Sequence, residues 1–256
     1  MVRATKELAA AGRGPRRAEL GQVDGLDLHA QYHSDRTGGD FFDAVRVGTR
    51  VAFLLSDIAG SRREAAPIAA AMQDAFRTKA AELFGAGDAN LMEGTEMLVQ
   101  GVNQALVGAA RGGICFAPTL VGCYDAQLGV LAYINAGGQT VALHDSDGAR
   151  VLPNASPPLG LTTHMTYEAS MQAFEPGARL LVVTKGVTLS RRGKDPFGTE
   201  RVLKALESAK DEPASGVCQV VLKAAHDFEK QRGEWLTPWR KRVPEDKTAL
   251  AMVRIA

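Results

Sequence analysis

Along most of the chain the apolar residues recur with one of two periods, and the period changes in blocks. Residues 25–34, GLDLHAQYHS, alternate apolar and polar side chains, which predicts a strand with one buried face. FFDAVRVGTRVAFLLSDIAG, Phe41 to Gly60, is rich in Phe, Val and Leu on both sides of Gly48–Thr49 and predicts two strands joined there. The spacing then lengthens. Ile68, Met72, Ala75, Phe76 and Leu83 recur at helical intervals before Gly85. Leu91, Met97, Leu98, Val102 and Leu106 do the same after a capping Asn90. From Ile114 the period of two returns over ICFAPTLVGCYDAQLGVLAYINAGGQTVALHDSDGARVL. This predicts three or four antiparallel strands with turns at 126–129, 136–138 and 145–148. A loop, PNASPPLGLTT, precedes two further strands within TYEASMQAFEPGARLLVVTKG. GTERVLKALESAK and PASGVCQVVLKAAHDFEKQR predict helices, the second starting after Pro213, and TALAMVRIA predicts a closing strand. Residues 1–20 predict a short N-terminal helical extension that breaks near Gly12–Pro15.

The order is strands, a helix pair, many strands, a second helix pair and a last strand. Alternating β-α-β units are absent, which argues against a doubly wound parallel sheet. Antiparallel sheets covered by segregated helix pairs fit better, an α+β class, with one domain over residues 21–256. A chain of 256 residues, 45% hydrophobic, can bury a sizeable core. Thirty basic against 29 acidic residues leave a formal charge of +1, so bulk electrostatics do not suggest a nucleic-acid partner. Cys115, Cys123 and Cys218 lack the spacing of a zinc site and are odd in number, so free thiols in a reducing compartment are expected. No apolar run reaches the ~20 residues that span a bilayer. Together these point to a cytoplasmic location without membrane partners.

Candidate chemistry centres on carboxylates. TGGDFFDA places Asp40 after two glycines at the start of one strand, and Asp57 ends the partner strand VAFLLSD. An antiparallel hairpin carries both to the same end of the sheet. Two carboxylates plus the backbone carbonyl of Ile58 would form half of a site for a hard divalent cation. Either segment alone reads more readily as an ordinary aspartate turn than as a metal site.

Seven blocks in order change that balance: GGDFFDA, LLSDIAGSRREAA, PTLVGCYDAQLGVLAYINAGGQ, PLGL, PGARLLVVTKGVTLS, FGTERV and EDKTALAMV. They resemble the bacterial metal-dependent serine/threonine phosphatases of the type 2C class, and most of all their sporulation-protein-E branch. The resemblance runs from about Gly25 to Ile255. It implies a four-layer α-β-β-α sandwich of two antiparallel sheets flanked by helix pairs. It also implies two Mn2+ or Mg2+ ions and a metal-bridged water that attacks a phosphoserine or phosphothreonine. Asp40 matches the aspartate of the family's G-G-D turn, Asp57 the aspartate that bridges both ions, and Ile58 the carbonyl that follows. The implied partner is a phosphorylated regulatory protein such as an anti-sigma-factor antagonist.

Two positions depart from the pattern. Lys185 stands in TKG where the family reads T-D-G, and Glu245 stands in EDKT where it reads D-D-x-T. Glu245 keeps its charge, and Asp246 beside it is a substitute ligand, although strand alternation points it the other way. A protonated lysine does not ligate. At about 4 Å from a divalent ion and an effective dielectric of ~20 it would be repelled by roughly 8 kcal/mol. The expectation is that the Lys185 ammonium takes the ion's place, pairing with Asp57 and Glu245, or else turns out to solvent. One ion, or none, is then expected instead of two. Two functions remain open: a phosphatase domain with weak activity, and a pseudophosphatase that binds proteins in a partner-switching pathway. Arg62 and Arg63 read as a solvated helix start or as phosphate contacts. Trp239 and Arg240, in EWLTPWRKR, read as a packed surface extension or a partner contact. The five histidines show no ligand spacing.

Overall fold

A computed structural model describes residues 14–16, 18, 21–23, 25–33, 37–110, 115–153, 156–230 and 245–255. The expected helix within residues 1–20 falls largely outside the described residues, and so do Trp239 and Arg240. The described chain divides into two compact units. Residues 38–138 and 154–173 belong to the first; residues 20–37, 139–153 and 174–256 belong to the second.

The first unit is built on five antiparallel strands: β3 (Gly39–Val47), β4 (Arg50–Ile58), β5 (Thr119–Asp125), β6 (Val130–Ala136) and β9 (Ser170–Ala173), in that spatial order. Two long helices, α1 (Arg62–Phe84) and α2 (Leu91–Ala109), pack on it. Asn90 caps α2 as expected, its side chain accepting the N–H groups of Met92 and Glu93. Met72, Phe76, Ala80 and Phe84 of α1 and Leu98, Val102 and Leu106 of α2 close a core with Phe41, Leu54, Val121 and Ile134 of the sheet. Met97, expected on the buried face of α2, is instead 48% exposed; Thr95, Val99 and Asn103 are buried in its helix. Buried Asn103 explains why a polar residue sits inside: it accepts the Gly160 N–H at 2.8 Å and donates to Thr162 O at 2.7 Å, anchoring the 156–169 loop.

The second unit is a six-stranded antiparallel sheet in the order β1 (Gly21–Val23), β2 (Leu26–His33), β13 (Lys247–Arg254), β10 (Arg179–Val183), β7 (Thr140–Asp145) and β8 (Gly148–Val151). A helical turn, α3 (Lys185–Thr188), follows β10 and leads into a small hairpin of β11 (Arg191–Arg192) and β12 (Asp195–Pro196). Helices α4 (Gly198–Ser208) and α5 (Ala214–Lys230) cover the sheet through Val202, Leu206, Val217, Val221 and Leu222. Asp27 of β2 accepts the Ala214 N–H at 2.8 Å, supplying α5 with a cap from another strand. The turn expected at 136–138 is the point where the chain leaves one sheet for the other. The α+β class and the two antiparallel sheets with their helix pairs are therefore present. All three cysteines are buried free thiols.

Candidate metal centre

In the β3–β4 register Asp40 lies directly opposite Asp57, and Gly39 opposite Ile58. Cross-strand partners share a face, with Cβ atoms about 4.5–5.5 Å apart. Asp40 is 1% exposed and Asp57 half-buried. Two like charges so placed repel, and a divalent cation held between them is the simplest compensation. The Ile58 carbonyl oxygen lies 2.1 Å from where a Cβ on residue 39 would stand, so glycine alone lets the strands close at that point. Asp57 is fixed from its other side too. Its N–H donates to Pro118 O at 2.9 Å, and the Ala59 N–H to Phe116 O at 2.9 Å. One residue back, buried Ser56 and Thr119 join through their hydroxyls at 2.8 Å. Thr119 Oγ1 also donates to Ala117 O at 2.9 Å, which leaves Ser56 Oγ as donor in the hydroxyl pair.

The second aspartate of TGGDFFDA has another task. Asp43 shares strand parity with Phe41, on the face turned to α1, while Asp40 shares parity with Phe42 on the opposite face. Fully buried, Asp43 is held by Arg77 of α1 through two hydrogen bonds of 2.7 and 2.8 Å. The two carboxylates, three residues apart, cannot serve one ion.

Beyond Gly60 the chain enters α1 through a capping box. Ser61 Oγ accepts the Glu64 N–H and the Glu64 carboxylate accepts the Ser61 N–H at 2.9 Å. Hydrogen bonds from the Ser61 hydroxyl and N–H hold the Glu64 carboxyl below its ordinary range. Arg62 and Arg63 occupy the first turn and are exposed.

The remaining candidate residues belong to the second unit. Thr184, buried at the start of α3, donates its N–H to Thr248 O at 3.1 Å and accepts the Thr248 N–H on Oγ1 at 3.1 Å. This double link brings the start of β13 alongside α3. A Cβ on Gly186 would stand 1.9 Å from Asp246 O and 3.4 Å from the Glu245 Cβ. Position 185 and the acidic pair 245–246 are thus neighbours. Lys185 is exposed and forms no ion pair among the described residues. Glu245 is exposed. Asp246 is half-buried and accepts the Thr37 N–H on Oδ1 at 2.7 Å, anchoring the chain three residues before Asp40.

Oxygen donors of Asp40, Asp57 and Ile58 suit a single hard cation. Among the described residues no group of three or more His, Cys, Asp and Glu is arranged to hold a metal, so the fit is to a half-site. Sequence reasoning missed Ser56, Thr119, Thr184 and Thr248, which fix the backbone around the acids. Their one signal is that each is a hydroxyl residue at the edge of, or inside, an apolar strand run. The histidines serve elsewhere: His33 lies against His226 with ring centroids 4.4 Å apart, and His144 Nε2 meets Glu207 at 3.1 Å.

Comparison with known proteins supports this architecture. Residues 48–235 match the family described as Stage II sporulation protein E (SpoIIE). Protein IcfG of Synechocystis sp. is 33% identical over 93 residues, a stretch covering 36% of this chain and 15% of that protein. Among solved structures, the RsbU and RsbW domains of Rv1364c from Mycobacterium tuberculosis match with a TM-score of 0.69 at 23% identity, over 91% of this chain and 60% of theirs. The SiaA-PP2C domain of Pseudomonas aeruginosa matches with a TM-score of 0.70 at 15% identity, over 90% and 86%. The catalytic domain of the phosphatase PstP, in complex with two manganese ions, matches with a TM-score of 0.56 at 15% identity, over 90% and 100%. This chain spans less than two thirds of IcfG and of the Rv1364c chain. With a match over most of its length and two antiparallel sheets each carrying a helix pair, the chain belongs to the SpoIIE family and has the type 2C phosphatase fold.

Proposed function

We propose that this domain hydrolyses phosphoserine or phosphothreonine on a regulatory protein, with one Mn2+ or Mg2+ ion and a turnover well below that of a two-ion centre. The observation that carries this is the direct opposition of Asp40 and Asp57 across β3 and β4, beside the Ile58 carbonyl at Gly39. Asp40 and Asp57 would hold the ion; the PstP catalytic domain, of the same fold, is solved in complex with two manganese ions. When bound, such an ion supplies Lewis acidity toward phosphoryl oxygens. The Ser56–Thr119 pair keeps the Asp57 backbone in place, and Asp246 tethers Thr37 ahead of the Gly38–Gly39 turn. At position 185 an exposed lysine stands where the family has a ligand, and this favours the second reading, a pseudophosphatase that binds its partner without turnover.

Hydrolysis of a phosphoserine peptide under excess manganese separates the two. Slow release of phosphate that requires manganese and vanishes in Asp57→Ala is the expected result, with a gain in rate for Lys185→Asp. Inertness of the wild type together with retained peptide binding would establish the pseudophosphatase instead. Turnover that survives in Asp57→Ala would contradict both.

A further inference from the structure

The stretch Lys185 to Lys194, KGVTLSRRGK, holds four cations and no carboxylate in a chain whose formal charge is only +1. It folds as α3 followed by the β11–β12 hairpin, with Gly193 and Lys194 at the tip. Arg192 of this stretch and Arg201 of α4 are internally committed. Arg192 and Arg201 both approach Asp195, at 3.6 and 3.0 Å, and both lie over the Phe228 ring, 4.8 and 4.5 Å from its centroid. Arg201 also donates to the carbonyls of Pro196 and Phe197. The root of the hairpin is tied down as well. Phe197 N donates to Ser190 O at 2.7 Å, Ser190 Oγ donates to Gly186 O at 2.9 Å, and Phe197 meets Phe228 edge-on at 5.6 Å.

The other cations are differently placed. Lys185 and Lys194 are exposed, Arg191 is half-buried, and none of the three forms an ion pair among the described residues. Between them Leu189 is 42% exposed. Ion pairing and stacking therefore build a stiff base and leave three positive charges without ion pairs, and one exposed apolar side chain, within ten residues of chain. A preformed surface loses little conformational freedom on binding, and uncompensated charge steers an oppositely charged segment toward it. Nucleic acid fits less well, because both aromatic rings of the module, Phe197 and Phe228, are buried and offer no stacking platform. Three charges also fall short of the four to eight, roughly, that mark binding to anionic lipid.

We infer that residues 185–194 form a docking surface for an acidic, phosphorylated segment of a protein partner, with an apolar residue seated against Leu189. The surface extends the phosphoprotein reading by naming where the partner engages, and binding there requires neither metal nor turnover. The test is fluorescence anisotropy of a labelled peptide carrying one phosphoserine, flanking Asp and Glu residues and one leucine, measured in EDTA at low and high salt. Wild type should bind, and binding should weaken as salt rises. Lys194→Glu should weaken it at least about fivefold and flatten the salt dependence, and Arg191→Glu with Lys194→Glu should weaken it further, with thermal midpoints unchanged. Should the double variant prove unstable, Lys194→Glu alone, at an exposed hairpin tip, still decides the matter. Unchanged affinity in Lys194→Glu would overturn the inference. So would no binding by the wild type, or tighter binding of phosphatidylserine vesicles or an RNA oligomer that the same variants abolish. Manganese-dependent hydrolysis of an aryl phosphate, measured in parallel, reports on the metal centre separately. Loss of that activity with peptide binding intact would refute the phosphatase reading and leave the docking surface standing.

Discussion

Arg50 shows how much one side chain can hold together. Its Nε donates to Asp125 at 2.8 Å, its Nη1 to Phe84 O and Ala86 O at 3.1 and 2.6 Å, and its Nη2 to Gly87 O at 3.0 Å. A single guanidinium thus joins β4, β5 and the orphan carbonyls at the end of α1. Burial alone would raise the Asp125 carboxyl, yet the Arg50 guanidinium and the N–H groups of Leu128 and Gln127 outweigh it and hold the group below its usual range. Arg50→Met leaves Asp125 buried without its partner and should lower the urea-unfolding free energy by about 3–5 kcal/mol. A loss below about 1 kcal/mol would show that solvent reaches the pocket. His33 makes a second prediction at this scale. Burial first, then the neighbouring His226 ring and Lys247, lower its pKa against the opposing pull of Glu229. The folded state favours the neutral ring, so this contribution is complete above about pH 6.5 and is lost as pH falls through the lowered value. His33→Gln should therefore flatten the fall in unfolding midpoint between about pH 7.5 and 5.5. An equally steep fall in the variant would contradict the assignment.

At the scale of elements, most strands and all four long helices were legible because their periods are clean. β2 shows the alternation directly, β3 and β4 stand out by their Phe, Val and Leu on either side of Gly48–Thr49, and Asn90 marks the start of α2 without ambiguity. What the pattern hid is instructive. β1, α3 and the β11–β12 pair are two to four residues long, too short for any period to register. The crossing at 136–138 looks like a hairpin turn because glycine pairs serve both purposes. Met97 was misplaced because polar Thr95 and Asn103 occupy the interior, Thr95 by donating back to Leu91 O within the helix and Asn103 through bonds to Thr162 and Gly160 that only tertiary structure supplies. Element packing also predicts opposite outcomes for one substitution. Gly39→Ala puts a methyl group 2.1 Å from Ile58 O and must push β3 from β4. It should cost about 1–3 kcal/mol or more in chemical denaturation. Gly108→Ala, on an exposed turn of α2 with nothing within 4 Å, should stabilise by roughly 0.5–1 kcal/mol. Equal effects at the two sites would show that backbone approach is not what glycine provides at position 39.

For the whole molecule, the acidic residues fall into two sets of different character. Asp40 and Asp57 were legible as a pair from hairpin geometry alone, and their register is one-to-one. The environment of Lys185 was not legible. Its identity departs from the T-D-G pattern of the resemblance, but the direction of its side chain depends on α3 and on the Thr184–Thr248 link, neither visible in the sequence. The bond that Asp246 Oδ1 accepts from the Thr37 N–H, 209 residues away in the chain, was not legible either. The central proposal is that one set of carboxylates still takes an ion while the position-185 set does not. Calorimetric titration with manganese measures this most directly. The account predicts no more than one ion per wild-type chain, none in Asp57→Ala, and a second ion once Lys185→Asp and Glu245→Asp are combined. Two manganese ions bound per wild-type chain, with Lys185 in place, would contradict it.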